Sequence, residues 1–137
     1  MIKEKEDYLF DTFPNLFPKG RNADMQVSLM RFGFPGDGWF DLIKDLCEKI
    51  TAEGISITVV QVKEKFGGLR FYFDMNPGTT QEQYTRVNEL VVEAETKSEV
   101  TCENCGQPGK LRSGSWIRCL CDEHSDGKPA WEIPKVE

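Results

Sequence analysis

Between Thr101 and His124 the chain reads "TCENCGQPGKLRSGSWIRCLCDEH", which contains four of its five cysteines and its one histidine. Thiolates and a neutral imidazole are the donors a tetrahedral metal site takes. Cys102 and Cys105 form a C-x-x-C pair followed by Gly106, the shape of a knuckle whose backbone N–H groups face the sulfurs. Cys121 and His124 repeat the two-residue gap, so Cys102, Cys105, Cys121 and His124 make a Cys₃His set. Cys119 is the rival, giving four thiolates in place of His124. A one-residue gap between Cys119 and Cys121 closes a chelate less comfortably, so spacing favours the set with His124 and leaves Cys119 a neighbour. Zinc suits this donor mixture. Its binding, roughly 10–16 kcal/mol in ribbons of this kind, outweighs the ordering cost of a short arm with few apolar residues.

Catalysis would need an open coordination position, and four protein ligands leave none. The catalytic templates also fail. No H-E-x-x-H is present, and the histidine follows the C-x-x-C pair, whereas a zinc deaminase places it before. A Ser-His-Asp or Cys-His arrangement would have to use His124, already claimed by the metal. A thioredoxin-like pair would open a helix after a strand, and this one leads into a glycine turn. The expectation is a structural zinc in a protein that is not an enzyme.

A second chemistry is offered between the ligand pairs. Lys110, Arg112 and Arg118 with Trp116 and no acid can hold phosphate and stack a base. Lys63, Lys65 and Arg70 beside Tyr72 form another such group, diluted by Glu64 and Asp74. The plainer reading has Trp116 packed, the charges solvated, and the lysines guarding a sheet edge. Cys47, on the apolar stripe of a helix, reads as a small buried hydrophobe.

These groups must be placed by a body spanning residues 1–98, to which an arm over 99–137 is attached. The first thirty residues are the least patterned: "DTFPNLFPKG" suits an irregular segment that packs Phe10, Phe13, Leu16 and Phe17. "MQVSLM" carries a weak strand signal, with a short helix almost as favoured. Asp37 is placed to cap a helix carrying Trp39, Leu42, Ile43, Leu46, Cys47 and Ile50 at helical spacing, with Gly54 as its stop. "ISITVVQVK" reads as a strand covered on both faces or bulged near Val59. "LRFYFDM" returns with strict alternation, its inner face Leu69, Phe71, Phe73 and Met75, after a turn served by Gly67 and Gly68. Thr79 and Glu82 have capping-box spacing ahead of a helix with Tyr84, Val87, Leu90, Val91 and Ala94 on one stripe. The predicted fold is α+β: a short antiparallel sheet, two amphipathic helices and a C-terminal zinc ribbon docked on the body.

With 137 residues and a formal charge of −6, no half of the chain being basic, long-range attraction to nucleic acid is weak and a basic protein surface is the better-steered partner. The start "MIKEKEDYLF" lacks the pattern of a signal peptide. No apolar run approaches the ~18 residues of a membrane span. With cysteines at metal spacing, the expected setting is a reducing cytoplasm.

"FGFPGDGWFDLI", "VKEKFGGLRFYF" and "CENCG … LCDEH", in this order over roughly residues 30–125, resemble a family of small zinc-ribbon proteins encoded by bacteriophages and prophages. The family's second ligand pair is a Cys-x-x-His, matching Cys121 and His124. The resemblance implies a protein at work in the host cell cytoplasm that binds a host protein, with an RNA-guided CRISPR nuclease as the expected target (an anti-CRISPR-like inhibitor). An accessory protein that contacts RNA or DNA through the basic ribbon loop is the alternative, and an enzyme with an unrecognised site the third.

Overall fold

A computed structural model describes residues 1–131. The N-terminal segment is more regular than its prolines suggest: Lys3–Thr12 is a helix, α1. Acids at Glu4 and Glu6 suit its first turn, where the helix dipole favours negative charge. It ends ahead of Pro14, which disfavours helical backbone in the residue before it. Beyond it the expected packing holds. Phe10, Phe13, Leu16 and Phe17 are all buried, and Phe10, Phe17 and Phe34 form an aromatic trio with centroids 5.2–5.6 Å apart. "MQVSLM" is neither strand nor α-helix. Met25 and Val27 are exposed in a turn, and Met30–Phe32 is a single 3₁₀ turn.

The helix after Asp37 begins as a 3₁₀ turn, Asp37–Trp39, and continues as α2, Phe40–Ala52. Leu42, Ile43, Leu46, Cys47 and Ile50 are buried on its inner stripe, and Gly54 follows its end at φ +68°. Asp37 does not cap it. Its Oδ1 accepts from the Ile2 amide at 2.7 Å, tying the chain start to this turn.

Strands β1 (Ile57–Lys65) and β2 (Gly68–Met75) pair antiparallel, with a register shift between Val59 and Gln61. That bulge is why Ile57, Val59 and Val62 are all buried although they break simple alternation. The connecting turn differs from expectation. Phe66 (φ 54°) and Gly67 (φ 82°) take the left-handed positions, while Gly68 opens β2 with ordinary backbone. Helix α3, Gln81–Ser98, starts one residue later than predicted: the capping box is Thr80 with Gln83 rather than Thr79 with Glu82. Thr79 instead donates its hydroxyl to the Asn76 carbonyl. Val87, Leu90, Val91 and Ala94 are buried as expected, whereas Tyr84 is 44% exposed and rests on Phe73.

The architecture is α+β as predicted. Helix α3 lies on β2 and against α2, and the core runs from the N-terminal aromatics through α2 and the sheet's inner face. A small ribbon of β3 (Lys110–Arg112) and β4 (Arg118–Leu120) follows. No helix among the described residues is long and apolar enough to cross a membrane.

Candidate metal centre

The end of α3 delivers the chain straight into the knuckle. Cys102 N–H donates to the Gln107 carbonyl at 2.8 Å and Gly106 N–H to the Cys102 carbonyl at 2.9 Å, with Gly106 at φ +83° closing the turn. The second ligand pair leaves β4 at Cys121 and enters the 3₁₀ turn Asp122–His124, which swings the imidazole back over the sulfurs. The donor atoms of Cys102, Cys105, Cys121 and His124 all lie within 4.8 Å of one another. Cys105 Sγ stands 3.7 Å from Cys121 Sγ, and His124 Nδ1 stands 3.1 Å from Cys121 Sγ and 3.9 Å from Cys102 Sγ. A tetrahedral zinc with ordinary bond lengths spaces two sulfurs by about 3.8 Å and sulfur from nitrogen by about 3.6 Å. The four residues therefore fit a metal ion, and the sulfurs are too far apart for a disulfide.

Burial acts to raise the Cys102 thiol. Backbone N–H groups of Cys121, Cys105 and Asn104 overcome it, so Cys102 is lowered to about 6, into the range where a thiolate is held ready. Cys119 is different. It is fully buried, its thiol donates to the Glu99 carbonyl at 3.2 Å, and burial followed by the nearby Cys102 pushes it up to about 11. It packs as part of the core that joins ribbon to body. Burial likewise drives the Cys47 thiol far up, in keeping with an inert place on α2.

What holds the knuckle to the body is the segment Gly36–Trp39, whose sequence suggests a helix start and part of a family motif but no contact with the cysteines. Gly38 N–H donates to the Glu103 carbonyl at 2.7 Å, and Trp39 Nε1–H donates to the Thr101 carbonyl at 2.8 Å. Gly36 N–H donates to Glu103 Oε2 at 2.9 Å. A Cβ on Gly38 would stand 2.1 Å from the Cys102 carbonyl oxygen and 2.7 Å from the Cys105 nitrogen, and one on Gly36 would meet the Glu103 carbonyl oxygen at 2.5 Å. Two glycines and an indole thus form a backbone-to-backbone seat for the metal loop. The signal was present in "GDGW" but has no meaning until the knuckle is placed beside it.

The basic candidates separate. Arg112 is not a surface contact residue. It is buried, donating to the Leu120 and Lys128 carbonyls and pairing with Asp122 at 2.8 Å, because a guanidinium can satisfy three acceptors around the ribbon at once. Arg118 stacks on Trp116, 4.7 Å from its centroid, and lies 3.5 Å from the buried Glu103 carboxylate. Lys110 is exposed, and Trp116 is exposed with its indole N–H on Glu64. Lys63, Lys65 and Arg70 lie along the hairpin, with Lys63 directly across from Arg70. Comparison with protein-family models, curated proteins and solved structures finds no match.

Proposed function

We propose that the chain is a zinc-stapled, non-enzymatic protein that acts by docking on a host protein. The observation that carries this reading is a site furnished with four protein ligands, seated on Gly36, Gly38 and Trp39. Three thiolates and an imidazole favour zinc over harder ions, and such a complement leaves the ion no position for substrate. The role that remains is to hold the ribbon shut. The docking face we favour is the exposed stripe of α3 with Glu82, Glu89 and Glu93, where Glu89 pairs with Arg86 and Glu93 with Lys49, so the steering charge is chiefly the net −6 of the chain. Such a face suits a basic protein groove, and the channel in which an RNA-guided nuclease holds its guide is one. Action in the host cytoplasm and the phage-type role rest on the motif resemblance alone.

The test mixes the zinc-loaded protein with purified candidate nucleases, with and without guide RNA, and follows co-elution on gel filtration. Co-elution that is lost when Glu82, Glu89 and Glu93 become lysine supports the reading. Separate elution at micromolar concentrations of both partners contradicts it.

A further inference from the structure

Beyond that reading, the outer face of the β1–β2 hairpin has a composition the rest of the surface lacks. Helix α3 packs on β2 from the inner face, with α2 packed on α3. The outer face carries Lys63, Lys65, Arg70 and Tyr72, with Gln61 opposite Tyr72 and Lys63 opposite Arg70. Among the described residues none of these three cations sits in an ion pair; Lys5, Lys19, Arg31, Lys97, Lys110 and Lys128 are also unpaired, but Lys63, Lys65 and Arg70 are neighbours on one strand pair. In an acidic chain, three unpaired cations against one acid, Asp74 at the far end of the same face, are a local reversal of sign.

The same face is bordered by exposed aromatic rings. Phe66 at the hairpin tip is 67% exposed, Phe32 65%, and Trp116 56%. Each ring has a cation beside it: Lys63 by Tyr72, Lys65 by Phe66, Arg31 by Phe32 and Arg118 by Trp116, at 4.7–6.0 Å from the centroids. Phe32 and Trp116 line one groove of about 260 Å³ together with Gln61, Val62, Lys63 and Glu64 of β1, the Glu64 carboxylate accepting the indole N–H. The tip leans on the ribbon, Gly67 standing against Leu111 and the Arg118–Cys119 backbone, so hairpin and ribbon present one continuous surface.

We propose that this surface binds single-stranded nucleic acid, the phosphates lying along Lys63, Lys65 and Arg70 and the bases stacking on Phe66, Tyr72 and Trp116. A protein partner would be expected to cover apolar area with few uncompensated charges at its centre. Flat rings alternating with unpaired cations match a strand whose repeat is one anionic phosphate and one π-face. Duplex is disfavoured because its bases are already stacked and cannot meet the rings.

The test is fluorescence anisotropy of labelled 20-nucleotide U and dT homopolymers with the zinc-loaded full chain, from 50 to 200 mM salt. Saturable binding is expected, with affinity falling as salt rises. The triple variant Lys63→Ala, Lys65→Ala, Arg70→Ala should bind about tenfold or more weakly at 50 mM salt and flatten the salt slope by about 2, three phosphate contacts at ~0.7 each. Phe66→Asn, which keeps a residue tolerant of left-handed backbone, should weaken binding with the salt slope unchanged. Metal content and circular dichroism of each variant check that the fold is intact. Binding to either polymer supports the proposal, since both offer a phosphate and a pyrimidine face at every repeat. Absence of binding to both polymers at 50 mM salt, or binding that well-folded triple and Phe66→Asn variants leave intact, overturns the proposal.

Discussion

Replacing Gly38 with alanine perturbs the seat of the metal loop without touching a ligand. Gly38 does not have left-handed backbone, so the substitution is not conformationally forbidden, and its effect is steric. The new methyl would lie 2.1 Å from the Cys102 carbonyl oxygen, 2.5 Å from the Gly106 nitrogen and 2.7 Å from the Cys105 nitrogen. All three are backbone atoms of one tight turn, so none can swing aside as a side chain would. Relief requires the knuckle to move off the Asp37–Trp39 turn, which breaks the Gly38–Glu103 bond and strains the Trp39–Thr101 bond. Overpacking costs about 1–3 kcal/mol and a lost hydrogen bond about 0.5–1.5 kcal/mol, so the total is about 1.5–4.5 kcal/mol. Urea unfolding of the zinc-loaded protein measures it, with chelator competition reading the accompanying rise in zinc release. Gly54→Ala is the control. It meets nothing within 4 Å but sits at φ +68°, so about 1 kcal/mol of backbone strain is expected. If Gly38→Ala loses less than Gly54→Ala and holds zinc as tightly as the parent, Gly38 does not seat the knuckle.

Arg112→Ala should destabilise by about 2–4 kcal/mol, because it strips the Leu120 and Lys128 carbonyls of their donor and leaves a hole in the ribbon, the exposed Asp122 being resolvated, and Arg112→Lys should rescue little of it; thermal unfolding of the two variants checks this. Chelation of the metal should release the ribbon to protease near Lys110 and Arg118 while far-UV helical signal from α1–α3 largely persists, since most of the core lies outside the ribbon. Loss of all helical signal on chelation would show that the body cannot stand alone. The Asp7 carboxylate is held below its usual range, first by the hydrogen bond from Lys3 and, burial opposing, also by Arg21. Its folded value being the lower one, its contribution is full above pH ~4 and fades as pH falls through that depressed value. The stability difference between parent and Asp7→Asn should therefore be present at pH 6 and shrink under acid, as read from denaturant midpoints.

Much of the fold was legible because its signals are local. The stripe from Trp39 to Ile50, the alternation of Leu69 and Phe71, and the bulge implied by Val59 and Val62 follow from side-chain periodicity alone. The four-donor cluster was legible from spacing, since two C-x-x-C/H gaps bring such donors together before any tertiary contact is known. Helix α1 was obscured by Pro14 and Pro18 just beyond it, and its hold depends on Glu6, whose carboxylate takes the Phe34 amide and pairs with Arg21 far along the chain. The capping box slipped by one residue because Thr79 and Thr80 both carry the right hydroxyl, and only the Asn76 turn decides between them. Arg112 looked like a surface cation because composition cannot show that three acceptors converge on it. The seat at Gly36 and Gly38 lies some sixty residues from the cysteines, a separation that no local pattern bridges.

X-ray absorption at the zinc edge of the purified protein addresses the metal's role most directly, with Cys119→Ala measured beside it. One zinc per chain with three sulfurs at about 2.3 Å, one nitrogen at about 2.0 Å and no oxygen, in both proteins, is the predicted result. A coordinated water, or a four-sulfur shell that loses a ligand in Cys119→Ala, would contradict a closed structural site built on Cys102, Cys105, Cys121 and His124.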